Sequence, residues 1–320
     1  MDTQKIKETI LILCEEVKKP KIVLGFSGGP DSTLLFHALK DLYKENEIDL
    51  ICAHLNHGWR EDSIKDEEFC RQLCNTYKVE FVSEHAKNLR PPKYNGSKEE
   101  LGRKLRQTFL NEVLEKESAQ FIALGHHADD QQETFFLRLI RGSSLSGLTC
   151  MKERNGAYIR PLLNTSKEEI LNYLKINDLN YKTDSSNASD DFLRNRIRKN
   201  VIPALKKCDE RFNKKFRDTL THLKNEEKLL RNVTEETYQS VFNGAKGKVS
   251  KFIELSPSLQ KSLIICWLKK EKVSFNPSNS YLDEITKFIS SPRGGSHSLH
   301  KAWKVIKKQG LFWIKKIGPK

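Results

Sequence analysis

The chain lacks any apolar run near the roughly 18 residues that a membrane helix needs. Its longest apolar runs are Ile10–Cys14 and Leu263–Leu268. The N-terminus, MDTQKIKETI, has no charged-then-apolar layout and so does not resemble a signal peptide. These two absences predict a soluble, cytoplasmic protein with no membrane partner. Cysteine is sparse as chemistry: Cys14, Cys52, Cys70, Cys74, Cys150, Cys208 and Cys266 are scattered and form no C-x-x-C. That argues against a zinc ribbon, an iron–sulfur site or a dithiol, and for reduced, buried thiols. Two phosphate motifs are also missing. No G-x-x-x-x-G-K-[ST] occurs, and no G-x-G-x-x-G.

Acidic residues are absent from Ser291 onward, where eight Lys/Arg stand. Residues 1–200 carry 31 basic and 31 acidic side chains. Residues 201–320 carry 25 and 11, so the net +14 of the 320-residue chain belongs to its last third. A one-sided field of this kind suits a polyanion such as a nucleic acid. The 16 Phe, 8 Tyr and 4 Trp are enough to build packed cores.

Short apolar runs alternate with longer amphipathic ones over the first 150 residues. Strands are expected at Ile22–Phe26, Leu50–Leu55, Val79–Ser83 and Phe121–Leu124. Helices are expected at Ser32–Lys44, Ser63–Tyr77, Lys98–Glu117 and Asp130–Leu139. Repeated βαβ units predict an α/β domain with a parallel sheet covered on both faces. Ligands of such sheets sit beyond the carboxyl ends of the strands. Pro91–Lys98 and the GSSLSG run after Arg141 are expected to be loops, and Asp184–Ser189 a turn-rich break. A helix is expected over 165–181, and a basic helix or helix start over Arg194–Lys199. After Pro203, a long polar helix over Asp209–Gln239 leads to a smaller, mainly helical unit. That unit has helices at Ser258–Lys270 and Tyr281–Ile289, and ends in a hairpin around Gln309-Gly310. The expected domains are 1–205 and 206–320.

One junction carries most of the chemistry. Leu24-Gly25-Phe26-Ser27-Gly28-Gly29-Pro30-Asp31-Ser32-Thr33 joins the first strand to the first helix of that domain. Small residues let backbone N–H groups converge on an anion, with the helix N-terminus behind them. Ser27 and Ser32 add hydroxyls. Asp31 would repel a bare phosphate, so a Mg²⁺ bridging it to the phosphates resolves the conflict. The S-G-G-x-D-S run resembles the pyrophosphate loop of N-type ATP pyrophosphatases, the PP-loop superfamily.

Four further stretches narrow the resemblance. They are Ala53-His54-Leu55-Asn56-His57-Gly58-Trp59-Arg60, then Gly102 to Phe109, then Gly125-His126-His127-Ala128-Asp129-Asp130-Gln131-Gln132-Glu133-Thr134 with Leu137 to Gly142, and finally Asp184-Ser185-Ser186-Asn187 with Arg194 to Arg198 and Val201-Ile202-Pro203. In this order, over residues 20–205, the chain resembles the tRNA(Ile)-lysidine synthetase family, in its short form.

That resemblance implies a Rossmann-like, adenine nucleotide α-hydrolase-like catalytic domain. It implies ATP-dependent joining of free L-lysine to C2 of the wobble cytidine of tRNA(Ile) with a CAU anticodon, giving lysidine, AMP and pyrophosphate. ATP and Mg²⁺ are then expected, with Ser27, Gly28, Gly29, Pro30, Asp31, Ser32, Ala53, His54 and His57 at the nucleotide. Asp31, Arg106, His126 and Asp130 are the expected catalytic groups, with Asp31, and secondarily Asp130, on the metal. Arg194, Arg196, Arg198 and Lys199 are expected at tRNA phosphates. The basic last third would form the tRNA platform. Trp303, Phe312 and Trp313 there are expected mainly in a core, with base stacking the alternative. A homodimer stays an open expectation. The competing readings are a tRNA thiolase, GMP synthetase or NAD synthetase, or a non-catalytic tRNA binder.

Overall fold

The computed structural model describes residues 3–59, 62–89, 98–183, 192–273, 275, 278–300 and 302–317. The chain divides into two compact units, Met1–Leu220 and Thr221–Lys320. The expected division at 205/206 falls earlier than Leu220. Phe212, Phe216 and Leu220 pack with Phe135, Phe136 and Cys150, which ties these positions to the first unit. The loop expected at Pro91–Lys98, apart from Lys98, and the break at Asp184–Ser189 lie outside the described residues.

The first unit is built on strands β1 (Lys21–Gly25), β2 (Asp49–Asn56), β3 (Glu80–His85), β4 (Phe121–Ala123), β5 (Arg154–Asn155) and β6 (Tyr158–Ile159). Their order is β3-β2-β1-β4-β6-β5. Every pairing is parallel except β5 with β6. Helices α1 (Thr3–Leu13), α2 (Pro30–Lys44), α3 (Ser63–Tyr77), α4 (Lys98–Lys116), α5 (Ala128–Ile140), α6 (Leu145–Leu148) and α7 (Lys167–Ile176) accompany them. After these come α8 (Leu193–Arg196), a π-type turn at Ile197–Val201, and α9 (Ile202–Cys208).

The parallel strands are apolar on both faces because both faces are covered. Ile22 and Leu24 enter the core with α1, α2, α3 and α7, while Val23 enters the one with α4. One strand thus divides its side chains between two cores, as the two-residue period of a strand requires. Helix α1 was not foreseen. Only Ile6 and Ile10 of it are fully buried, so its apolar signal is thin.

Helix α10 (Phe212–Val241) crosses the division between the units. The second unit then holds β7 (Phe242–Asn243), β8 (Lys246–Lys248), α11 (Val249–Ile253), α12 (Pro257–Lys270), α13 (Asn279–Ser290), β9 (Gly295–His300), β10 (Trp303–Lys308) and β11 (Leu311–Lys316). The expected hairpin is β10 with β11, and it forms the middle of a five-stranded antiparallel sheet, β7-β8-β11-β10-β9. Phe312 is fully buried there, with ring centroids 5.1 Å from Trp267 and 5.3 Å from Phe242. Its role is packing. The half-buried Trp303 packs on the same core, and Lys246 lies over Trp313. Among the described residues, no helix is long and apolar enough to cross a membrane.

Truncating Phe312 to Ala removes the ring that joins Phe242, Phe252 and Trp267. The expected cost is about 3–5 kcal/mol. Urea denaturation followed by tryptophan fluorescence reads it as a lower midpoint with an unchanged slope.

Candidate active site

Strand β1 lies between β2 and β4, and the strand order reverses there. Ligands of open α/β sheets bind outside the carboxyl ends of the strands at such a reversal, where the loops leaving β1 and β4 stand. The β1 loop turns through Gly28, whose φ of +78° favours glycine. A Cβ at Gly28 would also meet Cys70 Sγ at 3.1 Å and Phe69 at 3.2 Å. Gly29 caps α2 and Pro30 begins it, where a missing N–H costs nothing. Ser32 Oγ donates to Gly29 O at 3.0 Å and lies 3.1 Å from Ser27 Oγ. Thr33 Oγ1 donates to Gly28 O at 3.2 Å. The free N–H groups of the first α2 turn stand behind this loop, which makes an anion cradle.

The β4 loop closes tightly on the cradle. A Cβ on Gly125 would sit 3.1 Å from the backbone of Asp31 and Ser32. Only glycine lets the two loops approach this far, and the approach gathers carboxylates from both. Asp31 pairs with Lys167 Nζ at 2.5 Å. The His127 ring, 7% exposed, has Nε2 3.7 Å from Asp31 and 3.6 Å from Asp130, and Nδ1 3.6 Å from Asp129. Burial works against a charged ring, but Asp129, Asp130 and Asp31 outweigh it and raise the pKa of His127. Burial likewise opposes ionisation of Asp129. His127, the Lys167 amide at 2.8 Å and Lys206 Nζ at 3.4 Å overcome that and hold the carboxyl well below its usual range.

Asp130 Oδ2 accepts the His127 amide at 2.9 Å, which caps α5. Burial is again outweighed, here by His127, His126 and Arg194, so Asp130 stays ionised. One turn on, Glu133 is buried with a side chain only 2% exposed. Arg194 Nε donates to it at 2.7 Å, and Arg198 donates through Nε at 2.5 Å and Nη2 at 3.0 Å.

Strand β2 delivers the remaining expected groups. Ala53 is buried, and its carbonyl accepts the Phe26 amide at 2.8 Å, so it supports the loop through backbone. His54 Nδ1 donates to Phe26 O at 2.9 Å, and burial lowers its pKa, which leaves a neutral ring anchored beneath the loop. His57 stacks on Trp59 at 4.6 Å. Burial, then the charge of Arg106, pushes it down to about 4. Arg106 keeps solvent contact within these crowded walls; burial and Arg103 lower its pKa. Burial also takes His126 to about 4.

The structure therefore brings Ser27, Gly28, Gly29, Pro30, Asp31 and Ser32 together with Asp130 at one crevice. Arg194 and Arg198, expected at tRNA phosphates, spend their guanidinium groups on Glu133. Arg196 and Lys199 of the same run are exposed. His127, Asp129 and Glu133 went unassigned although they stand in the G-H-H-A-D-D-Q-Q-E-T stretch. Lys167 was missed as well. The Ser166/Glu169 capping box marks it as the first residue of α7 and was its available signal.

The donor set suits a magnesium ion that arrives with a nucleotide. Among the described residues, no three His, Cys, Asp or Glu side chains form a metal cage of their own. Asp31 and Asp130 offer hard oxygens beside the anion cradle, and Mg²⁺ is commonly held by one or two carboxylates plus phosphates and water.

Two outcomes follow from the charge arrangement. Glu133→Gln keeps the shape but removes the charge shared by Arg194 and Arg198, at a cost of about 2–3 kcal/mol read from the urea midpoint. His127 has a folded pKa above its ordinary 6.5. Its contribution is fully present below about pH 6.5 and is lost as pH rises through the raised folded value. The stability gap between wild type and His127→Gln is therefore wider at about pH 6 than at about pH 8.5.

A family model described as a PP-loop domain matches residues 2–205. A tRNA(Ile)-lysidine synthase of Francisella tularensis subsp. novicida is 32% identical over 291 residues, covering 89% of this chain and 71% of that relative. The enzyme of that name from Bacillus cereus is 32% identical over 288 residues, covering 84% of this chain and 59% of the relative. Among solved structures, a U34-tRNA thiolase from Methanococcus maripaludis aligns with a TM-score of 0.55 at 22% identity, over 68% of this chain and 78% of that one. The last likeness speaks to the fold alone. With its PP-loop match and these relatives, the chain belongs to the tRNA(Ile)-lysidine synthase family of PP-loop proteins, a family of ATP-using ligases.

Proposed function

We propose that the chain ligates free L-lysine to C2 of the wobble cytidine of a tRNA(Ile) with a CAU anticodon, at the expense of ATP. The observation that carries this reading is that Asp31, in the anion cradle, and Asp130 both stand within 3.7 Å of the same His127 nitrogen, within a chain of this family.

The cytidine C2 oxygen is a poor leaving group. In the first step it attacks the α-phosphate of ATP, a C2–O–P bond forms, and the α–β phosphoanhydride breaks to release pyrophosphate. The Ser27–Ser32 loop binds the polyphosphate, and Lys167 and Arg106 offset charge that develops on it. A magnesium ion on Asp31 would neutralise phosphate charge when bound. In the second step the lysine ε-amine forms the N–C2 bond, and the C2–O bond breaks to release AMP. The ammonium, with an ordinary pKa near 10.4, must first lose a proton. Asp130, held ionised, pairs with the ammonium and positions it, and the proton that the amine must lose passes to solvent water. The target base must leave its stack, which single-stranded loops allow at low cost. The basic residues 201–320, Arg196 and Lys199 serve the tRNA backbone in this reading.

Incubation with ATP, labelled lysine and tRNA transcripts tests the proposal. Lysine incorporation that requires C at the wobble position is the expected result. Thiolation, amidation or binding without turnover overturns it. Asp31→Asn should lower pyrophosphate release by at least about 100-fold while tRNA affinity changes little. Loss of tRNA binding instead would make the loop's role structural.

A further inference from the structure

Among the described residues, Arg160 is a buried cation whose Nε has no hydrogen-bond partner. Arg160 follows β6, next to the β4 loop, where the Leu124 amide donates to Ile159 O at 3.0 Å. It is only 9% exposed. Its Nη1 donates to Lys152 O at 3.1 Å, and its Nε is buried with no partner. Isolated guanidinium groups are rarely buried without a carboxylate.

A second arginine, Arg103, stands near enough for its charge to act on Arg160. Tyr158, two residues before Arg160, donates its hydroxyl to Asn111 Oδ1 at 2.8 Å and also bonds Gln107. Residues 103, 107 and 111 are spaced one turn apart, so Arg103 tops that stripe of α4 on the Arg160 side. Arg103 and Arg160 lie within reach of one another's charge, and both bear on His126. Arg103 is exposed, so a ligand can reach it. Two like charges beside a buried, unpartnered Nε form half of an ion pair whose other half is a ligand.

We infer that Arg160 and Arg103 form an oxyanion subsite that takes the α-carboxylate of the free amino acid. The inference rests on the ligation reading. The other oxyanions have a place already: ATP phosphates belong to the loop after β1, whereas Arg160 lies beyond β4, across the His126–His127 loop. Asp130 lies between these two positions, near Arg194 and the two histidines. A substrate with a carboxylate at one end and an ammonium at the other matches Arg160 and Asp130 in turn. A planar guanidinium fork holds a carboxylate by two parallel bonds.

The test compares lysine with 1,5-diaminopentane, which is lysine without its carboxylate. Arg160→Gln should raise KM for lysine roughly 10- to 100-fold, with KM for ATP and Kd for tRNA unchanged. Inhibition by 1,5-diaminopentane should be the same in variant and wild type. Arg103→Gln, on the exposed side of the pair, should move lysine KM in the same direction without a folding burden, and Arg160→Lys should restore it in part. An unchanged lysine KM overturns the subsite, as does an equal loss for lysine and the diamine. A weaker tRNA Kd with a salt slope lower by about one assigns the arginines to a phosphate and also overturns it. Absence of any lysine incorporation by wild type overturns ligation itself, whereas incorporation with unmoved KM in the variants overturns only the subsite.

Discussion

Asp31, Asp129, Asp130 and Glu133 are four carboxylates gathered into one crevice, and the structure around them is organised by their mutual repulsion. Lys167 answers Asp31, Lys206 answers Asp129, and Arg194 and Arg198 answer Glu133. His127 stands among three of the four and becomes easier to protonate as a result. Each of these cations arrives from an element outside the sheet: α7, α8, α9 or the π-type turn between the last two. The helices that follow the sheet therefore dock by charge as well as by apolar packing. The cluster also explains why the β4 loop needs Gly125. A side chain there would hold Asp31 and Asp130 apart, and the repulsion would have no shared counter-ion.

The same bookkeeping of charge separates structural arginines from available ones. Residues 194–199 form a dense basic run, and density alone suggests a nucleic-acid contact. Two of its members face inward to a carboxylate that is almost wholly buried. An ion pair of this kind sets the angle of α8 against α5 and orders the crevice wall. Arg160 is the reverse case. It sits in no basic run and yet has a buried nitrogen with no partner. Availability is a property of the surroundings and not of the charge pattern along the chain.

That distinction marks what was legible in the sequence. The parallel sheet was, because Ile22, Val23 and Leu24 make a continuous apolar run that only a strand covered on both faces can use. The anion loop was, because its small residues and hydroxyls stand between a strand and a helix, and Gly28 meets a positive φ and a close approach that favour glycine. The antiparallel sheet of the second unit was only half legible. Its hairpin shows through Gln309-Gly310, both at positive φ, but β7 and β8 are two and three residues long and have no period to detect. Helix α1 was missed for a similar reason. In the crevice, Asp31 and Asp130 were assigned because a metal and a proton acceptor both need carboxylates near phosphate. His127, Lys167 and Glu133 were not, since their roles rest largely on contacts across 61 to 136 positions of chain, such as Arg194 with Glu133, His127 with Asp31 and Lys167 with Asp31.

The histidines show how far local geometry can redirect an assignment. His54, His57, His126 and His127 all lie at strand ends, where ligand contact is the natural expectation. Burial leaves three of them neutral near pH 7, since they are pushed below their ordinary pKa. Only His127, adjacent to His126 in sequence, moves upward. His127 has three carboxylates around its ring, whereas His126 feels Asp130 opposed by Arg160, Arg103 and Arg194, so burial decides its pKa. The β4 loop thus has one ring among carboxylates and the next where a carboxylate and three arginines meet. A crevice that mixes both signs of charge suits a reaction in which an anionic phosphate leaves and an amine must lose its proton. In that arrangement His127 keeps the carboxylates ordered, and His126 remains neutral beside cations that await an anion.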